Sequence, residues 1–185
     1  VPAQIEALED SLPQLKTDIS GLTLWLRDKT LRTDALPVER LRQLAHNTGL
    51  SLSWSWCHRQ AAHKGERLHI PDDAAIREAS AQVEQTRVLS CHDLRLAAQW
   101  LSASKTDHVL LSPWRPAISK MTSRACLDQA ATCALAHRYP ARVHLVSGLT
   151  ADDRQALRGT PFASLCFKGA FMADPIGFLP RLVLT

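Results

Sequence analysis

The sequence predicts an α/β protein of the TIM (β/α)8 barrel type, a single domain over residues 1–185 whose first strand is missing or only partly present at the N-terminus. Three observations predict it. Short apolar or β-branched runs alternate with stretches of helical periodicity, and strict alternation favours a parallel sheet. The 185 residues are enough for one domain with a substantial core, and they fall a little below the roughly 200 at which eight-unit barrels begin. No linker, repeat or low-complexity stretch divides the chain.

The elements follow in order. Residues 4–16 place Ile5, Leu8, Leu12 and Leu15 on one helical face. Strand-like runs then fall at 22–27, 51–56, 67–71, 87–91, 108–111, 142–146 and 162–167. Between them, the helix at 37–46 opens with Pro37, whose missing N–H is harmless in a first turn. A helix at 93–103 opens with Asp93, a good N-cap. Helical spacing of Cys126, Ala130 and Cys133 predicts a helix over 124–138, and Thr150 caps one over 151–158. His58 and His63 lie on an expected helix, but five apart they do not share a face, so no metal site is read there. Residues 175–183 form a last helix interrupted by Pro180.

Composition narrows the function. The chain is 45% hydrophobic and 22% charged, as soluble globular proteins are. No apolar run reaches the roughly 20 residues that span a bilayer, so no membrane partner is expected. The formal charge is +4 and the pI near 9.0. The 22 Lys and Arg are interleaved with 18 Asp and Glu, which suits a small phosphorylated ligand and argues against nucleic acid. Five cysteines without paired C-x-x-C spacing read as reduced thiols in a cytoplasmic protein. A homo-oligomer is compatible with all of this.

In a barrel, the chemistry belongs at the C-terminal ends of the strands. Those ends carry Arg27-Asp28-Lys29, Trp56-Cys57-His58, His69-Ile70-Pro71-Asp72-Asp73, Ser90-Cys91-His92, the stretch SPWRPAISK from Ser112 to Lys120, Ser147-Gly148 and Lys168-Gly169. Several other polar or aromatic residues have plain structural readings. Trp54 alternates with serines and reads as core, whereas Trp56 could floor a pocket. His69 reads as a satisfied core histidine, Cys91 as a small buried hydrophobe, and Cys126 and Cys133 as helix packing.

These segments resemble a known family. LWLRDK resembles the LREK strand of the thiamine phosphate synthases and of the related TenI-type thiazole tautomerases. SCHD is similar to their S-x-H-[ST] strand, LLSPWRPAISK to G-P-x-F-P-T-x-[ST]-K, VSGL to GGI, and SLCFKGAFMADP to the last strand and its phosphate turn. Order and spacing hold from about residue 20 to 175. The resemblance implies a barrel that binds a phosphorylated thiazole or pyrimidine. On it, Arg27 and Lys29 match cations on the pyrophosphate side, and Ser119 and Lys120 match the hydroxyl and lysine of the fifth strand. Gly148, Lys168 and Gly169 match the turns that cradle the thiazole phosphate. His92 matches the histidine that transfers protons in the tautomerases.

The pattern also departs from the synthases. Their magnesium ligands, an Asn-Asp pair and a later Asp, fall on Ser55, Trp56 and Ala74, with Asp72 and Asp73 nearby in sequence. The phenylalanine of the fifth-strand motif is Arg115, its threonine is Ala117, and the first glycine of GGI is Ser147. Proton transfer needs no metal, so the resemblance implies a thiazole tautomerase or a divergent relative ahead of a synthase, with no cofactor (magnesium if it is a synthase). A barrel that binds a phosphorylated ligand without catalysis is the remaining reading.

Overall fold

The computed structural model of the chain describes residues 10, 23–26, 36–104, 106–116 and 125–166. The expected helices at 4–16, Asp10 apart, and at 175–183 lie outside the described residues, as does the stretch 117–124. The chain divides into two compact units. One comprises Val1–His69, Val83–Thr86 and Pro175–Thr185, and the other Ile70–Gln82 and Arg87–Asp174.

The first unit contains β1 (Thr23–Leu26), α1 (Leu36–Thr48), β2 (Ser51–Ser55) and β3 (Arg67–Ile70, its last residue in the second unit). β1 pairs with β2 in parallel, Leu26 opposite Trp54, and β2 pairs with β3, Ser55 opposite His69. α1 buries Val38, Leu41, Leu44 and Ala45, a spacing of three and four that sets one apolar face inward. Trp54 is fully buried, as its alternation predicts. His69 is buried with its ring edge-on to Trp25 at 4.3 Å.

The connection from β2 to β3 departs from expectation. Instead of an α-helix through His58 and His63, only a 3-10 turn forms, Trp56–His58. Side chains take the backbone groups that a longer helix would need. The indole Nε1 of Trp54 donates to Glu66 Oε2 at 2.7 Å, and the same oxygen accepts the His63 backbone N–H at 2.6 Å. Arg42 lies 5.0 Å over the Trp54 ring and donates to the Ala61 carbonyl and to His63 Nδ1. Trp56 is half-buried beneath the Arg59 guanidinium, 4.8 Å away.

The second unit contains α2 (Ala74–Ala79), β4 (Thr86–Cys91, its first residue in the first unit), α3 (Leu94–Ser102), β5 (His108–Leu111), α4 (Gln129–Arg138), β6 (Val143–Val146), α5 (Ala151–Ala156) and β7 (Ser164–Cys166). β4 to β7 pair in parallel, with Cys91 opposite Leu111, Leu111 opposite Leu145 and Val146 opposite Cys166. Val109, Leu110, Leu111, Val143 and Leu145 are all buried, giving the near-continuous apolar runs of strands covered on both faces. Within each unit the described strands pair in chain order, β1 to β3 in the first and β4 to β7 in the second. The protein is therefore α/β with a parallel sheet.

Helix starts follow cap chemistry. Asp73, Asp93 and Asp128 each accept the N–H three residues on, from Ile76, Leu96 and Ala131. The Asp128 cap sets the start of α4 at Gln129, not 124, which leaves Cys126 exposed ahead of the helix instead of packed within it. Thr150 and Asp153 form a reciprocal capping box on α5.

Candidate functional site

The parallel register of the second unit sets three strand exits side by side. The Ser112 N–H donates to the Cys91 carbonyl at 3.2 Å, so the chain leaving β5 stays against the end of β4. Beyond it, the N–H groups of Trp114 and Arg115 donate to the carbonyls of Val146 and Ser147 at 3.4 and 3.2 Å. The SPWRP segment is thus strapped between the ends of β4 and β6, with Trp114 buried beneath it.

His92 is the first residue beyond β4. It is half-buried, and its Nδ1 lies 2.7 Å from the Ser112 carbonyl oxygen and 3.0 Å from Ser112 Oγ. A carbonyl can only accept, so Nδ1 carries the hydrogen and Nε2 the lone pair. Nε2 has no partner among the described residues. The imidazole is therefore fixed in ring orientation and in tautomer, with its basic nitrogen free of the described residues.

Gly148 holds φ +72°, and a Cβ built there would lie 2.6 Å from Arg115 Cβ and 2.7 Å from the Arg115 carbonyl oxygen. Its missing side chain lets the two loops meet. Ser147 before it also has positive φ, at 82°, a conformation that glycine adopts more readily. The loop contact places Arg115 over the start of α5, where Nη2 meets Asp153 Oδ1 at 2.6 Å. The Asp153 side chain is only 2% exposed. Its other oxygen accepts both the N–H and the hydroxyl of Thr150 at 2.8 and 3.0 Å.

Of the residues expected at the site, His92 and Gly148 are brought to neighbouring strand exits. Arg27, Lys29, Ser119, Lys120, Lys168 and Gly169 lie outside the described residues. Ser112 and Arg115 fall in the strand-exit stretch where chemistry was expected, with no role assigned to them, and Asp153 was not read as a site residue. The T-x-x-D spacing of Thr150 and Asp153, a capping-box signature, is what marks Asp153 in the sequence. Cys91 is buried as expected. Burial pushes its thiol above the ordinary value, and Sγ donates to the Asp93 carbonyl, so it packs as a hydrophobe and is no nucleophile. Asp72 is paired with Arg77 at 2.6 Å, and Asp73 is occupied in capping α2.

Parallel strands in chain order, alternating with helices and with their polar groups at the strand exits, define a β/α protein of the barrel-related kind. Its fold is that of the thiamine phosphate pyrophosphorylases. The enzyme of that name from Pyrococcus furiosus superposes with a TM-score of 0.69 at 14% identity, over 96% of this chain and 86% of that one. That from Bacteroides thetaiotaomicron gives 0.55 at 16% identity, over 95% and 87%. No family model and no curated protein matches the sequence.

Proposed function

We propose that this chain is a single-domain β/α barrel of thiamine biosynthesis that binds a thiazole phosphate at its strand exits and shifts a proton on it, as a thiazole tautomerase does. The shared fold supports the ligand class. One observation carries the chemistry: His92 has Nδ1–H tied to a main-chain carbonyl and its Nε2 lone pair unengaged among the described residues. Nε2 takes a proton from the ring carbon. The imidazolium that results keeps its Nδ1–H on the Ser112 carbonyl, which steadies the ring, and the same Nε2–H is then delivered at the second position. Arg27, Lys29, Ser119, Lys120 and Lys168, with the backbone at Gly148 and Gly169, complete the reading as the groups that hold phosphate oxygens.

A magnesium-dependent synthase fits this chain less well. Magnesium needs hard oxygen ligands. The positions that supply them in the synthases hold Ser55, Trp56 and Ala74, Asp72 is committed to Arg77, and Asp73 to a helix cap.

The test is isomerisation of the thiazole carboxylate phosphate, followed by NMR. His92→Asn should slow it by a factor of about 10² to 10⁴, the range of general acid–base catalysis, with little change in ligand affinity. An undiminished rate in His92→Asn would overturn the mechanism. Binding without isomerisation in the parent protein would leave a ligand-binding barrel in place of an enzyme.

A further inference from the structure

We infer that Arg115 is a ligand-binding cation at the strand exits, aimed by the buried carboxylate of Asp153 and selective for a dianionic phosphate group. The proposal deepens the reading above and rests on it for where the ligand sits. Three features of the geometry carry it. The Arg115 backbone is seated against the β6 exit, because Gly148 leaves space that any side chain would fill. Its guanidinium is pinned through Nη2 by a carboxylate that is itself 2% exposed, and that carboxylate's second oxygen is committed to Thr150. Yet the Arg115 side chain is 44% exposed. Its Nε and Nη1 have no partner among the described residues. A surface arginine with one face held and the other open has already lost most of the rotamer freedom that binding would otherwise cost. Arg115 also lies three residues beyond Ser112, whose carbonyl holds His92, so an anion on the open face sits on the same run of loop as the free imidazole nitrogen.

The charge of the site chooses the ligand. Asp153 offsets part of the guanidinium charge, so the contact rests on the open Nε–H and Nη1–H donors, on which a monoanion has the weaker hold. A dianion gains roughly twice the attraction for the same contact and presents three oxygens to the remaining N–H donors. Phosphate monoesters become dianionic with a second pKa of about 6. Affinity should therefore rise as pH passes through that value and level off above it. A purely structural Arg115–Asp153 pair predicts no such dependence.

The experiment measures binding of a simple phosphate monoester, phenyl phosphate, by calorimetry, at pH values below and above about 6, in the intact chain and in Arg115→Gln and Arg115→Lys, with circular dichroism confirming that each folds. The intact chain should bind phenyl phosphate more tightly at the higher pH. Arg115→Gln should lose about tenfold or more, a cost typical of one charge-assisted contact. Arg115→Lys keeps the charge and its reach to Asp153 but lacks the fixed fork, so it should recover only part of the affinity. Equal phenyl phosphate affinity in the folded Arg115→Gln or Arg115→Lys proteins would overturn the inference, as would a parent protein that binds no phenyl phosphate. Neither outcome bears on whether His92 moves a proton, which the isomerisation assay decides separately.

Discussion

Gly148 has no room for a methyl group. A Cβ there would stand 2.6 Å from Arg115 Cβ and 2.8 Å from its carbonyl carbon, and the φ of +72° is itself unfavourable for alanine. Gly65, at φ +89° with nothing within 4 Å, isolates the torsional part of the cost. Gly65→Ala should lower stability by about 1–2 kcal/mol. Gly148→Ala should lower it by about 2–4 kcal/mol, because main-chain atoms must also move. Urea unfolding of the two variants measures the difference, and equal losses would mean that the loops do not meet as described. At this scale the sequence was legible only in part. Gly148 and His92 could be placed at strand exits because short motifs carry them. The Arg115–Asp153 pair could not, since an arginine where a family has phenylalanine says nothing about which carboxylate it will meet. Ser147 shows the same limit: its place in a glycine motif was readable, its positive φ was not.

Among the elements, strands were the more legible. Continuous apolar runs such as HVLL at β5 mark strands buried on both faces, and their bounds fall within a residue or two of expectation. Helix starts could be read where the cap residue directly precedes the periodic stretch, as at Asp93 and Thr150. The cap at Asp128 was hidden behind a cysteine whose spacing imitates a helical face. The β2–β3 connection was misread because one side chain from α1, Arg42, and two at the ends of the connection, Trp54 and Glu66, decide its conformation. Glu66 is the hinge of that arrangement, since one of its oxygens satisfies both the buried Trp54 indole and the His63 N–H. In Glu66→Ala the indole N–H would be left buried without an acceptor. That should cost about 1–3 kcal/mol, read from thermal unfolding, together with a change in Trp54 emission. An unshifted melting curve would show that the connection is held by other means.

For the molecule as a whole, the alternation of strands and helices was the legible quantity, and it carries the α/β parallel architecture without help from any motif. The choice between two chemistries on one fold depends instead on a few donor atoms. A synthase must neutralise a departing pyrophosphate, and magnesium does so when carboxylate oxygens hold it. On the sequence resemblance, a serine, a tryptophan and an alanine fall on the positions at issue, Ser55, Trp56 and Ala74. Asp72 could be recruited only by giving up its 2.6 Å pair with Arg77, and Asp73 only by uncapping α2. Each exchange removes a contact worth about 1 kcal/mol, a modest barrier for one ligand but one that would have to be met twice. Adding magnesium should therefore produce little coupling of aminopyrimidine pyrophosphate to thiazole phosphate. A turnover assay with magnesium, with and without chelator, measures this directly. Brisk, chelator-sensitive turnover would reverse the ranking of the two activities and make Asp72 and Asp73 the ligands to replace first. In that event Asp72→Asn should abolish the magnesium response while leaving the fold intact, since Arg77 keeps its place 5.1 Å over the Trp100 ring.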